Sequence, residues 1–263
     1  MDTEIKFGYH NIKIGDTYTI PGQKLLEDDS RVKLIKEILY NYKKSNPTLV
    51  DLGSLEGGYS LMANKLGFKV SSVEGRYKNC EKIQWLKKLT GANFDIIWED
   101  VKDIDKFSKK GYDVTLCLGL LYHLDNPVDF LTKVASKTND LLVLSTHYSQ
   151  RVDKMYDKLP SLRKIKKAIY KRLPFIFYKA NYGLGKLEEN EGLQGRWYWE
   201  YNKNTSDRKI DKLPASSLSN SNSFWLTKES LIGLLKDLNF SVEIKDESTK
   251  HDSALFICKK VKA

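Results

Sequence analysis

The sequence predicts an α/β fold, a mostly parallel sheet with helices on both faces that ends in an antiparallel strand. Three observations carry this. Short apolar runs at 48–52, 69–73, 94–98, 113–118 and 141–145 alternate with stretches of helical character, and strands separated by helices assemble into a parallel sheet. Two further runs, 241–245 and 254–259, lie too close for a parallel crossover and must form a hairpin. The first run opens directly into Gly53-Ser54-Leu55-Glu56-Gly57-Gly58, the position where open α/β sheets bind ligands.

In chain order, residues 1–29 are turn-rich, with Gly8, Gly15 and Pro21-Gly22, and keep no period. They read as an N-terminal arm or lid. Asp28 or Asp29 can cap a helix whose apolar residues Val32, Leu34, Ile35, Ile38 and Leu39 keep helical spacing up to about Lys44. The core is expected over 30–147, with further helices at 59–66, 78–89, 101–107 and 128–136. The unbroken runs Val-Thr-Leu-Cys-Leu and Leu-Leu-Val-Leu suit central strands, buried on both faces. After Ser145 the alternation stops, and 148–226 is expected to be a cap for substrate recognition. A helix at 227–238 and the hairpin, within 227–263, complete the core.

At 263 residues, 41% hydrophobic and 30% charged, the chain suits one α/β domain with an insertion and fits neither a disordered nor a fibrous class. Cys80, Cys117 and Cys258 are odd in number and widely spaced, which matches no disulfide framework or zinc pattern and leads to a reducing cytoplasm as the expected location. No run reaches the roughly 18 apolar residues of a membrane span, so a soluble protein is expected. Of the net charge of +10, ten Lys and Arg against two acids fall within 151–180. There Leu162, Ile165, Ala168, Ile169 and Leu173 recur at helical spacing among basic residues, an amphipathic basic helix over 161–173. Four readings stand for it: a solvated face, recruitment of a phosphorylated substrate, contact with an anionic membrane surface, or RNA binding.

A glycine loop after a buried strand lets a ligand approach the backbone, and the following helix offers free N–H groups. Glu74 ends the second strand about twenty residues on, where a carboxylate can hold both ribose hydroxyls. A dinucleotide fingerprint on Gly53 and Gly58 would need glycine where Leu55 stands, so NAD and FAD are disfavoured.

Asp51-x-Gly53-x-x-x-Gly57 followed by Glu74 resembles motifs I and II of the class I S-adenosylmethionine (SAM)-dependent methyltransferases. Leu55 stands where that family often has glycine. The resemblance implies a Rossmann-like sheet of seven strands with an antiparallel last strand. It also implies that Gly53 packs beside the methionyl part, Asp51 orients the loop or the ligand amine, Glu74 holds the ribose and Asp100 the adenine amine. Ser54, Gly57, Gly75, Val101, Leu118 and Gly119 complete the implied cofactor set. The run Cys117-Leu-Gly-Leu-Leu-Tyr-His-Leu-Asp-Asn-Pro127 is similar to the G-x-L-Y-H-L-x-x-P signature of bacterial small-molecule methyltransferases, and more distantly to carboxymethyltransferase-like enzymes acting on wobble uridine in tRNA. Residues 193–198 and 223–230 resemble elements of methyltransferases found with surface-polysaccharide genes.

Methyl transfer to a hydroxyl needs a base and a clamp. His123 and His147 fall just past the fourth and fifth strands, and His147 is the preferred base. His10 on the arm, Tyr122 and the cap residues Arg196, Trp197, Tyr198 and Trp225 are the candidate acceptor contacts, since aromatics with an arginine can line a pocket for a sugar ring or an anionic group. His251 carries no expected role. No cluster of carboxylates and histidines appears at ligand spacing, so no metal is expected. The function expected is O-methylation, by SAM, of a small polar acceptor such as a sugar or a phosphate- or phosphoramidate-bearing intermediate of capsular or other surface polysaccharide. An RNA-modifying methyltransferase and a non-catalytic SAM-fold binding protein are the alternatives.

Overall fold

The computed structural model describes residues 5–150, 184–201, 216–248 and 251–261; the basic helix expected at 161–173 lies outside the described residues. Seven strands form the main sheet: β3 (Thr48–Leu52), β4 (Lys69–Glu74), β5 (Asp95–Trp98), β6 (Tyr112–Leu118), β7 (Thr138–His147), β11 (Phe240–Ser248) and β12 (Ser253–Lys260). Their spatial order is β11-β12-β7-β6-β3-β4-β5. β3 to β7 pair in parallel, and β12 runs antiparallel to both β7 and β11. The final strand in the chain is thus inserted inside the sheet, with β11 at the edge.

Alternate residues of the central strands enter two different cores, as a sheet covered on both faces requires. Leu49, Val114, Leu116, Leu141 and Val143 pack with Ile35 and Leu39 of α1 (Ser30–Tyr40), Ala63 of α2 (Gly58–Lys65) and Ile83 of α3 (Tyr77–Thr90). Val50, Leu52, Cys117, Leu142 and Leu144 pack on the other face, with Ile104 of α4 (Ile104–Phe107), Phe130 and Val134 of α5 (Pro127–Lys137), and Leu231 and Leu235 of α6 (Lys228–Asp237). Asp29 caps α1 by accepting from the Arg31 and Val32 amides, but the helix stops at Tyr40, a turn before the expected Lys44. The helical stretch expected at 101–107 divides into a 3-10 turn, Val101–Asp103, and the single turn of α4.

Two regions depart from the simple alternation. The arm forms a small hairpin, β1 (Lys13–Ile14) and β2 (Thr17–Tyr18). Within the expected cap, β8 (Leu184–Asn190), β9 (Leu193–Trp199) and β10 (Asn222–Leu226) form an antiparallel sheet. β8 and β9 turn through Glu191 and Gly192, both with positive φ, the geometry of a two-residue hairpin that suits the strand twist. The Glu191 carboxylate accepts from the Val128 and Asp129 amides, so this turn also caps α5 and ties the small sheet to the core.

Candidate functional site

A cavity of about 690 Å³ opens at the carboxyl ends of β3, β4, β6 and β7. β4 lies on one side of β3 and β6 on the other, so the chain reverses its direction of sheet building here, which leaves a crevice between the flanking loops. The arm forms one wall, and residues 216–220 cross over another side.

The loop after β3 folds back on β4. Amides of Gly53 and Ser54 donate to the Val73 carbonyl at 2.9 and 3.0 Å, and the Leu55 amide donates to Glu74 Oε2 at 2.9 Å. Gly53 has φ +70°, and a Cβ there would sit 3.1 Å from Leu120. Leu55 holds φ +53° without being glycine, a conformation that costs an L-residue about 1 kcal/mol or more. Gly57 is required behind the loop, against Ile83, and does not line the cavity.

Glu74 is buried. Its Oε1 accepts from the Arg76 amide at 2.8 Å, and burial pushes its carboxyl above the usual range. Asp51 accepts from Ser60 Oγ at 2.7 Å, and burial pushes it up to about 6, with Glu74 adding to the rise. Two buried carboxylates on one cavity floor favour a ligand that brings hydroxyl donors and positive charge. Asp100 caps the 3-10 turn through the Lys102 amide, and with Val101, Gly75, Ser54, Leu118 and Gly119 it lines the cavity.

At the other end lie Tyr122, His123 and His147. His123 sits in a 3-10 turn after β6, and His147 is the last residue of β7 rather than past it. His147 Nδ1 is 2.8 Å from the His251 carbonyl, which can only accept, so Nδ1 carries the proton and Nε2 is left as acceptor. Burial lowers the His147 pKa, opposed by that hydrogen bond. Trp225 stacks on the His147 ring at 5.1 Å, with Tyr122 edge-on to it at 4.7 Å. Burial raises the Tyr122 hydroxyl to about 12.

The structure separates the remaining candidates. His10 is buried at the cavity wall, where its Nδ1 accepts from the Gly58 amide. Arg196 is buried inside the cap, donating to the carbonyls of Gln150 and Gly185 at 2.9 Å each. Trp197 packs on Phe224 and Tyr198 on Trp225. None of these four cap residues lines the cavity; Trp225 and Tyr198 back the His147 ring.

Three features were missed in the sequence. Glu56 is fully buried and accepts from the successive amides of Gly8, Tyr9 and His10 and from Lys82, pinning the arm to the glycine loop. Burial opposes its ionisation, but these donors outweigh burial and hold it below the ordinary range. Glu200 contacts His123. Residues 216–220 cover the cavity beside Glu74 and Gly75, with Leu218 packed on Gly75 so closely that a Cβ there would meet it at 2.4 Å. A lone acid in Arg-Trp-Tyr-Trp-Glu-Tyr was the available signal for Glu200; 216–220 offered none. Among the described residues, no group of three or more His, Cys, Asp or Glu could hold a metal ion, and no helix is long and apolar enough to cross a membrane.

Sheet order, the inserted antiparallel strand and the placement of the crevice define the Rossmann-like methyltransferase fold. Among solved structures, the N-terminal domain of EvdMO1, determined in the presence of SAH and D-fucose, superposes with a TM-score of 0.66 at 20% identity, covering 95% of this chain and 89% of that one. Magnesium protoporphyrin IX methyltransferase (ChlM) from Synechocystis PCC 6803, with bound SAM, gives 0.53 at 13% identity, covering 88% and 78%. Among curated proteins, the ubiquinone biosynthesis O-methyltransferase of Rickettsia conorii is 27% identical over 103 residues, 37% of this chain and 34% of that protein. Its Rickettsia felis counterpart is 26% identical over 119 residues, 43% and 47%. The chain thus spans about a third to a half of the length of these curated relatives. No protein-family model matches it.

Proposed function

We propose that this chain is a SAM-dependent O-methyltransferase acting on a small polar acceptor, a sugar or a phosphate- or phosphoramidate-bearing intermediate of capsular or other surface-polysaccharide biosynthesis in the cytoplasm. The carrying observation is the cavity floor, where Asp51 and Glu74 are buried on either side of a left-handed glycine loop. It fits a ligand with a ribose diol at Glu74, an amine toward Asp51 and a base near Asp100. SAM would supply an electrophilic methyl group on its sulfonium. The chain's own residues hold the ligand, exclude water with 216–220, and present histidines at the acceptor end. The O-methyltransferase relatives and the EvdMO1 domain crystallised with D-fucose support a hydroxyl acceptor of sugar type.

Titration calorimetry with S-adenosylhomocysteine tests the cofactor, with a micromolar Kd expected and no heat of binding as the opposing result. Transfer of labelled methyl from SAM to a panel of nucleotide-linked sugars, set against bulk tRNA, tests the acceptor class. Methylation of the tRNA alone would overturn it.

A further inference from the structure

We infer that Glu200 is a positioning residue that makes His123 the base for the acceptor hydroxyl, and that it does so from the cap. This rests on the methyltransferase reading above. His123 Nδ1 lies 2.9 Å from Glu200 Oε1, and a carboxylate oxygen accepts, so Nδ1 bears the proton. Nε2 is the nitrogen left for the cavity that His123 lines. Glu200 is itself fixed: Ser223 Oγ donates to Oε1 at 2.8 Å and the Ser217 amide to Oε2 at 3.3 Å, with the Glu200 side chain 3% exposed. The backbone of His123 is held as well, since Asn220 Nδ2 donates to its carbonyl at 3.0 Å.

His147 offers a free Nε2 too, but its partner is a carbonyl. A neutral carbonyl orients a ring, whereas a carboxylate also stabilises the imidazolium that forms when the ring takes a proton. In the step itself, a lone pair of the acceptor oxygen forms the new O–C bond as the C–S bond breaks, and the sulfur keeps that electron pair. The hydroxyl proton passes to His123 Nε2. The products are the methyl ether, S-adenosylhomocysteine and an imidazolium paired with Glu200.

The same carboxylate joins the two ends of the cavity. Ser217, which donates to it, belongs to the stretch covering the cofactor end, where Arg76 Nη2 donates to the Ser216 and Ser217 carbonyls at 3.0 and 2.9 Å. His123 is therefore aligned by the segment that closes over Glu74 and Gly75.

Glu200→Gln separates the roles. The Ser217 amide can only donate, whereas the Ser223 hydroxyl can turn to accept, so the Gln oxygen stays at Ser217 and its NH2 takes the Oε1 position, donating to His123 Nδ1 and Ser223 Oγ. Nδ1 must then accept, and the ring is trapped with its proton on Nε2, the wrong tautomer for a base. Nitrogen-15 histidine NMR in mildly alkaline buffer, with His123 assigned by His123→Phe, reads this directly. The wild type should show the proton on Nδ1, Glu200→Gln on Nε2, and Glu200→Asp should keep the wild-type pattern. Methyl transfer should fall at least a hundredfold in Glu200→Gln, with the Kd for S-adenosylhomocysteine within about threefold of wild type and partial rescue in Glu200→Asp. A wild-type ring protonated on Nε2, or the same tautomer in wild type and Glu200→Gln, would overturn the assignment even if Glu200→Gln folds poorly. Absence of S-adenosylhomocysteine binding in the wild type would instead sink the methyltransferase reading.

Discussion

The two ends of the cavity are built in different ways. The floor of the proposed cofactor end is local: Leu55 reaches Glu74 across 19 residues, and Gly53 and Ser54 reach Val73. The acceptor end is assembled over long separations, with His123 meeting Glu200 across 77 residues, Asn220 meeting His123 across 97, and His147 meeting His251 across 104. The first end forms once β3, α2 and β4 pack. The second forms only when the cap sheet docks through Glu191 on α5 and the Phe224 amide on the Leu124 carbonyl. Substitutions should therefore sort by end, altering cofactor affinity at one and base alignment at the other.

The largest expected effect on affinity is at Glu74. In Glu74→Ala the ribose diol loses its acceptor, and the Leu55 and Arg76 amides lose theirs. Charged hydrogen bonds are worth about 1.5–3 kcal/mol each, so the Kd for S-adenosylhomocysteine should rise about a hundredfold by calorimetry. The His123 tautomer should stay as in the wild type. An affinity loss of similar size in Glu200→Gln would show that the two ends are not separable.

The arm gives a smaller, pH-dependent effect. Burial lowers the His10 pKa from 6.5 to about 4, with Glu56 opposing and Lys82 assisting. The unfolded chain takes up this proton first as pH falls, so the group's full stability is present above about 6.5 and is lost on the way down to about 4. Protonation also removes the Nδ1 lone pair that accepts from Gly58. Between about pH 7.5 and 5 the loss should be about 2 kcal/mol. Asp51, raised to about 6, works in the opposite sense over the same range. The measurement is thus the difference in urea unfolding between wild type and His10→Gln at the two pH values. Equal pH slopes in both proteins would contradict the assignment.

Sequence legibility followed the same division. The strand at 48–52 was read to the residue, and the sheet came from apolar runs, because a strand buried on both faces announces itself within five or six residues. β8 was not read, since Leu-Gly-Lys-Leu-Glu-Glu-Asn mixes half-buried and polar positions, and its turn is Glu-Gly rather than the stronger Asn-Gly. Arg196 reads as an anion clamp by residue type, yet its Nε and Nη1 donate to the carbonyls of Gln150 and Gly185; only the fold specifies which way a guanidinium turns. Glu56 lies inside the glycine loop but carries no sequence signal of its role, because its partners are backbone amides of the arm.

The smallest effect should come from Leu55, the non-glycine residue held at positive φ in the glycine loop. Its contribution to the cofactor end is an amide donated to Glu74, which any residue except proline supplies. Leu55→Gly relieves a left-handed φ worth about 1 kcal/mol and gives up part of that gain to the greater freedom of glycine in the unfolded chain and to the lost packing of a half-buried side chain. The net change in unfolding free energy should stay within about 1 kcal/mol of zero, and the Kd for S-adenosylhomocysteine should move less than about threefold. A tenfold loss of affinity would mean that the Leu55 side chain itself packs on the ligand. The cofactor end would then depend on a side-chain contact as the acceptor end does, and the contrast between the two ends would narrow at the one non-glycine residue of the loop held at positive φ.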